Sequence, residues 1–105
     1  MANDTFKALA HPIRRGIVER LAHGPATVGE ATRNLGVSKP TLSRHLEVLE
    51  EAGVVVRVID GRTHRLSLDV EPLDDAQAWL ASQRAHWARM FDVVEDYLAE
   101  RKEGR

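Results

Sequence analysis

Val28-Gly29-Glu30-Ala31-Thr32-Arg33-Asn34-Leu35-Gly36-Val37-Ser38-Lys39-Pro40-Thr41-Leu42-Ser43-Arg44-His45-Leu46 contains two short helical patterns with a glycine between them. Thr27 precedes the first pattern and Glu30 follows three residues later. That is the spacing of a capping box, in which each side chain satisfies the other residue's backbone N–H. Val28, Ala31 and Leu35 make its inner stripe. Gly36 breaks the helix, and Val37 is expected to face inward. Ser38 caps the second helix, and Pro40 is tolerated in its first turn, where no N–H is needed. Leu42, Leu46 and Leu49 recur at helical spacing and hold this helix to a core, and Ala52-Gly53 ends it.

Downstream, Val54 to Ile59 and Thr63 to Leu68 alternate with period two, and Asp60-Gly61 separates them. An Asp-Gly pair supplies the positive φ angles of a tight hairpin. Pro72 then punctuates, and a long helix runs from about Leu73 to Arg101. Upstream, Asn3 or Asp4 caps a short first helix whose apolar face is Phe6 and Leu9. Pro12 opens the next helix, which carries Ile13, Ile17, Val18 and Leu21 and stops at His23-Gly24-Pro25. The expected fold is mainly α with a small β-hairpin wing. It is a winged helix-turn-helix with a long C-terminal dimerisation helix. The chain reads as one domain over residues 1–105, with the helix-turn-helix at about 27–52, the wing at about 54–68 and the last helix at about 73–101.

These motifs resemble the ArsR/SmtB family of bacterial repressors. Residues 28–46 are similar to that family's helix-turn-helix, and Leu9-Ala10-His11-Pro12-Ile13-Arg14 to its N-terminal signature. Glu47-Val48-Leu49-Glu50-Glu51-Ala52-Gly53-Val54-Val55 and Asp60-Gly61-Arg62 resemble the family's exit from the recognition helix and its wing. The likeness runs in register over about residues 5–70 and departs at Thr32, where a small alanine is usual. It implies a transcription regulator, a repressor, that binds duplex DNA as a homodimer at an inverted-repeat operator.

The residue chemistry agrees with that implication. A recognition helix keeps one face on the core and puts the other into the major groove. Ser38, Lys39, Thr41, Ser43, Arg44 and His45 crowd the start of the fourth helix, although the position of His45 equally suits the core. Arg44 has the forked geometry for guanine or phosphate. Ser38 and Thr41 donate to phosphates, and Lys39 is a flexible point charge. Glu47, Glu50 and Glu51 would repel phosphates, so only the first half of this helix is expected to touch DNA. Arg62, His64 and Arg65 flank the hairpin turn, within reach of a minor groove or the backbone.

In the last helix, Leu80, Trp87 and Val94 recur every seven residues, and Phe91 and Leu98 extend a second row. The stripe is roughly 40 Å long at 1.5 Å per residue. One small domain cannot cover it, so Leu80, Trp87, Phe91, Val94 and Leu98, with Phe6 of the first helix, are expected to form a dimer interface. Trp79 and Trp87 serve that packing or line a pocket, and no effector is legible.

The 105 residues include 43% hydrophobic and 30% charged side chains, which fits a globular chain and argues against disorder. The net charge of −1 divides unevenly. Residues 1–65 hold ten Lys/Arg against seven Asp/Glu, while residues 66–105 hold five against nine. The basic excess lies where DNA is expected and the acidic excess lies on the last helix. With no cysteine, disulfides and thiolate sites are excluded. The family's thiolate positions correspond to Thr27 and Gly29. In its other metal site, Asp75 is followed by Gln77, and His86 stands alone, so no metal and no cofactor are expected. No phosphate-binding glycine loop or catalytic triad order points to an enzyme. No apolar run reaches membrane-spanning length and Met1 to His11 lack a signal core, so a cytoplasmic location is expected. The alternatives are a metal-responsive repressor and a winged-helix protein-interaction module. Lys39 and Arg44 at the start of the fourth helix count against the latter.

Overall fold

His11-Pro12-Ile13-Arg14 joins the first two helices by satisfying both of their loose ends. The computed structural model describes residues 2–103, and there helix α1 spans Ala2–Leu9 and α2 spans Pro12–Leu21. His11 is the N-cap of α2, its Nδ1 accepting the Ile13 N–H at 3.1 Å, and Pro12 occupies the first turn. Arg14 donates to the carbonyls of Ala8 and Lys7, and Arg15 to that of Leu9 at 2.9 Å. These carbonyls end α1 and have no partner within it, so the two cations complete the helix where its dipole favours positive charge. Asn3 and Asp4 lie inside α1 rather than at its cap.

A two-residue strand, β1 (Ala26–Thr27), leads into α3 (Val28–Ala31). The capping box is formed: Thr27 Oγ1 accepts the Glu30 N–H at 3.2 Å, and Glu30 Oε1 accepts from the Thr27 hydroxyl at 2.9 Å. The Thr27 hydroxyl foremost, and then the Thr27 backbone N–H, which also donates to Glu30 Oε1 at 3.4 Å, hold the Glu30 carboxyl below the usual carboxylate range. The helix is only one turn long and stops well before Leu35. Thr32 ends it, its hydroxyl donating to the Val28 carbonyl at 2.7 Å. Thr32 therefore acts as a terminator, and the larger side chain does not overfill a helix interior. Leu35 takes the inward place in the connection, against the core, while Val37 stays 38% exposed, contrary to the inward position expected for it.

Helix α4 spans Lys39–Glu51 with Ser38 as N-cap. Its C-terminus closes with the Gly53 N–H donating to Glu50 and the Val54 N–H to Leu49. This paired closure needs a left-handed residue, and Gly53 supplies it at φ +75°. Gly53→Ala is expected to destabilise the fold by about 1 kcal/mol, because a Cβ is strained at that angle. Urea denaturation checks it, and an unchanged midpoint would contradict it.

Strands β2 (Val55–Asp60) and β3 (Thr63–Leu68) pair antiparallel from Val55↔Leu68 to Asp60↔Thr63. The hairpin loop is thus Gly61-Arg62, one residue later than expected. Gly61, at φ +62°, takes the first central position, as a type II′ turn requires. Strand β1, not anticipated, pairs with β3 at Ala26↔Leu66 and Thr27↔Arg65, making the sheet order β1-β3-β2. Helix α5 (Val70–Glu103) begins before Pro72. Asp69 Oδ1 accepts the Glu71 N–H at 3.0 Å, and Pro72 falls in the first turn, where its missing N–H costs nothing.

Ile17 and Leu21 of α2, Leu46 and Leu49 of α4, and Val54, Val55 and Leu66 at the base of the hairpin form the buried core with Ala8, Ala26 and Ala31. Helix α5 joins this core only near its start, through Leu73 and the buried Ala76. At about 51 Å for its 34 residues, it runs far past the rest of the chain, and the molecule measures 75 × 26 × 21 Å.

Candidate nucleic-acid interface

Helix α4 divides sharply into two faces. Leu46 and Leu49 are fully buried, with Leu42 and Val48 half-buried beside them. Lys39, Thr41, Ser43, Arg44 and Glu47 are exposed on the other face. Ser38 Oγ accepts the Thr41 N–H at 3.4 Å and lies 3.0 Å from Thr41 Oγ1. The two hydroxyls therefore sit together at the helix N-terminus, beside Lys39 and within one turn of Arg44. At the hairpin, Arg62 in the turn and Arg65 on the outer strand face are exposed.

Two of the expected contact residues lie elsewhere. His45 is half-buried, its ring 4.3 Å from that of His11 and its Nδ1 3.1 Å from Arg14 Nη1. Because arginine only donates, His45 Nδ1 accepts and carries no proton. Burial, and then the charges of His11 and Arg14, hold its pKa below the usual histidine value. Position 45 lies three residues after Leu42 and four before Leu49, so helical geometry turns it inward. His64 shares a strand face with Leu66 and Leu68, and its Nδ1 lies 3.0 Å from Arg57 Nη1. Both histidines meet half-buried arginines of their own chain.

The sequence of residues 9–58 matches the model of a helix-turn-helix domain family. An HTH-type transcriptional regulator of Mycobacterium tuberculosis is 58% identical over 50 residues, covering 48% of this chain and 47% of that protein, so the chain matches about half of that relative's length. The transcriptional repressor SdpR of Bacillus subtilis is 35% identical over 78 residues, covering 74% of this chain and 87% of the repressor. The crystal structure of an ArsR family transcriptional regulator superposes with a TM-score of 0.77 at 36% identity, covering 82% of this chain and 89% of that one. The chain belongs to the ArsR family of transcriptional regulators.

In this ArsR-family chain the residue that sequence reasoning missed is Arg57. Its Nε donates to Glu50 Oε1 at 2.7 Å and its Nη2 to Glu50 Oε2 at 3.2 Å. Strand alternation was the available signal. It places Val55, Arg57 and Ile59 on the core-facing side of β2, so a charge there needs a partner. Along α5, Leu80, Trp87, Phe91, Val94 and Leu98 are all exposed on the single chain, together with Met90, Val93 and Tyr97. Phe6, placed with them from sequence, is half-buried against Trp79 of its own chain, with ring centroids 5.4 Å apart. Trp87 lies 5.9 Å from Phe91. Among the described residues no group of three or more His, Asp or Glu side chains is gathered as for a metal ion, and no helix is long and apolar enough to cross a membrane.

Proposed function

We propose that this ArsR-family regulator is a homodimer that binds an inverted-repeat DNA operator and represses transcription from the promoter it covers. The observation that carries the reading is the row Ser38, Lys39, Thr41, Ser43 and Arg44, exposed on a helix whose opposite face is anchored by Leu46 and Leu49. Hydroxyls and cations on a rigid helix are the chemistry of phosphate positioning and major-groove base contact. Arg62 and Arg65 of the wing extend the contact to the neighbouring backbone or minor groove. The two-fold pairing comes from α5, whose apolar row needs a second copy to cover it. Two recognition helices about 34 Å apart then read the two halves of a palindrome. Repression is supported by the name of the Bacillus relative.

Selection of bound sequences from random duplex DNA tests the reading. An enriched inverted repeat supports it, and bound sequences no different from the starting pool overturn it. On the selected operator, Arg44→Ala is expected to cost about 1–3 kcal/mol, with specificity relaxed at one base position per half-site. Competition binding on operator and scrambled DNA checks this. An equal loss on both would make Arg44 a backbone contact.

A further inference from the structure

One guanidinium ties the recognition helix to both strands of the wing. Arg57, on β2, grips the Glu50 carboxylate of the last turn of α4 through two N–H groups and faces His64 of β3 with a third. The Arg57 and Glu50 side chains are each only 26% exposed. A planar fork on a carboxylate fixes direction as well as distance. The hairpin needs such a brace. Strand β1 pairs with β3 at Leu66 and Arg65, so residues 59–64 extend past it as a two-stranded ribbon.

We propose that Arg57 is a positioning residue for DNA binding: the Glu50–Arg57–His64 clamp sets the angle between α4 and the wing, and so delivers Arg62 to the duplex. The proposal rests on the DNA-binding reading above. It also removes an electrostatic difficulty, because Glu50, a carboxylate in the last turn of the DNA-facing helix, is neutralised by Arg57 and repels phosphates little. Glu47, one turn earlier, is exposed and has no such partner among the described residues.

The clamp and simple electrostatics predict opposite signs for one substitution. If charge alone mattered, Glu50→Gln would remove a negative group, free Arg57 for phosphate and tighten binding. If the clamp positions the wing, Glu50→Gln weakens operator binding about tenfold. Glu47→Gln, the control, leaves binding equal or tighter. Arg62→Ala, costly in the parent, should cost almost nothing further in the Glu50→Gln background, because an unbraced wing no longer delivers Arg62. General loss of stability would leave the two effects multiplicative at temperatures well below unfolding. Residual dipolar couplings on the DNA-free protein measure the hairpin's orientation against α4. It should change in Glu50→Gln and stay fixed in Glu47→Gln. Unchanged orientation, unchanged or tighter binding by Glu50→Gln, or a fully retained Arg62→Ala effect would each overturn the clamp. A parent protein that binds no DNA, with orientation still shifted by Glu50→Gln, would instead overturn the DNA-binding reading and leave the brace standing.

Discussion

In the proposed dimer paired through α5, Phe91→Asp is expected to separate the two copies and to lower operator affinity by about 10²–10⁴. Phe91 lies in the middle of the exposed row of α5 and is 60% exposed on the single chain, while the buried core ends near Ala76. The folded monomer therefore loses little from the substitution. In a two-fold interface each new carboxylate would be buried without a partner, and the symmetry applies that penalty to both copies. The binding loss follows because two linked half-site contacts become two independent ones. Light scattering coupled to size exclusion reads the mass, and titration of the operator at fixed salt reads the affinity. A Phe91→Asp protein that stays dimeric would move the interface away from this face of α5. A monomer with full affinity would remove the need for two-fold symmetry.

Operator binding is expected to fall by about 10⁴ between 50 and 200 mM salt, despite a protein whose net charge is only −1. In the proposed complex four exposed cations per protomer, Lys39, Arg44, Arg62 and Arg65, meet phosphates or bases. Arg14 and Arg57 are engaged within the protein. Two protomers then displace about eight counterions, within the range of about 6–10 for salt-sensitive regulators. The acidic excess of residues 66–105 lies mainly on α5, which extends away from the core. At this ionic strength charges are screened over about 8–10 Å, so the outer part of α5 does little to cancel the attraction. Affinity measured across the salt series checks the slope. A flat response would mean that these cations do not face the duplex.

The order of the helices and the hairpin after α4, the caps at Thr27 and Ser38, the closure at Gly53 and the outward face of α4 were legible in the chain because each is a local matter. A cap joins residues three apart, and a helix face follows from spacing alone. The inward turn of His45 was one of the two readings open in the sequence: it lies at helical spacing from Leu42 and Leu49, and only its contact with Arg14 and His11 decides the face. The one-residue shift of the hairpin loop shows the limit of turn signals, since Asp60-Gly61 and Gly61-Arg62 both place a glycine where one is needed, and pairing with β3 chooses between them.

By itself, then, the sequence determined the succession of helices, the hairpin after α4 and the exposed basic row at the start of α4, because short-range hydrogen bonding and hydrophobic period dictate them. Packing between distant segments decided the rest: the third strand at Ala26–Thr27, the burial of His45 against Arg14, and the hold of Arg57 on Glu50 and His64. A charged side chain's partner depends on how separate elements lie against one another. Residue spacing along the chain carries no direct record of that angle.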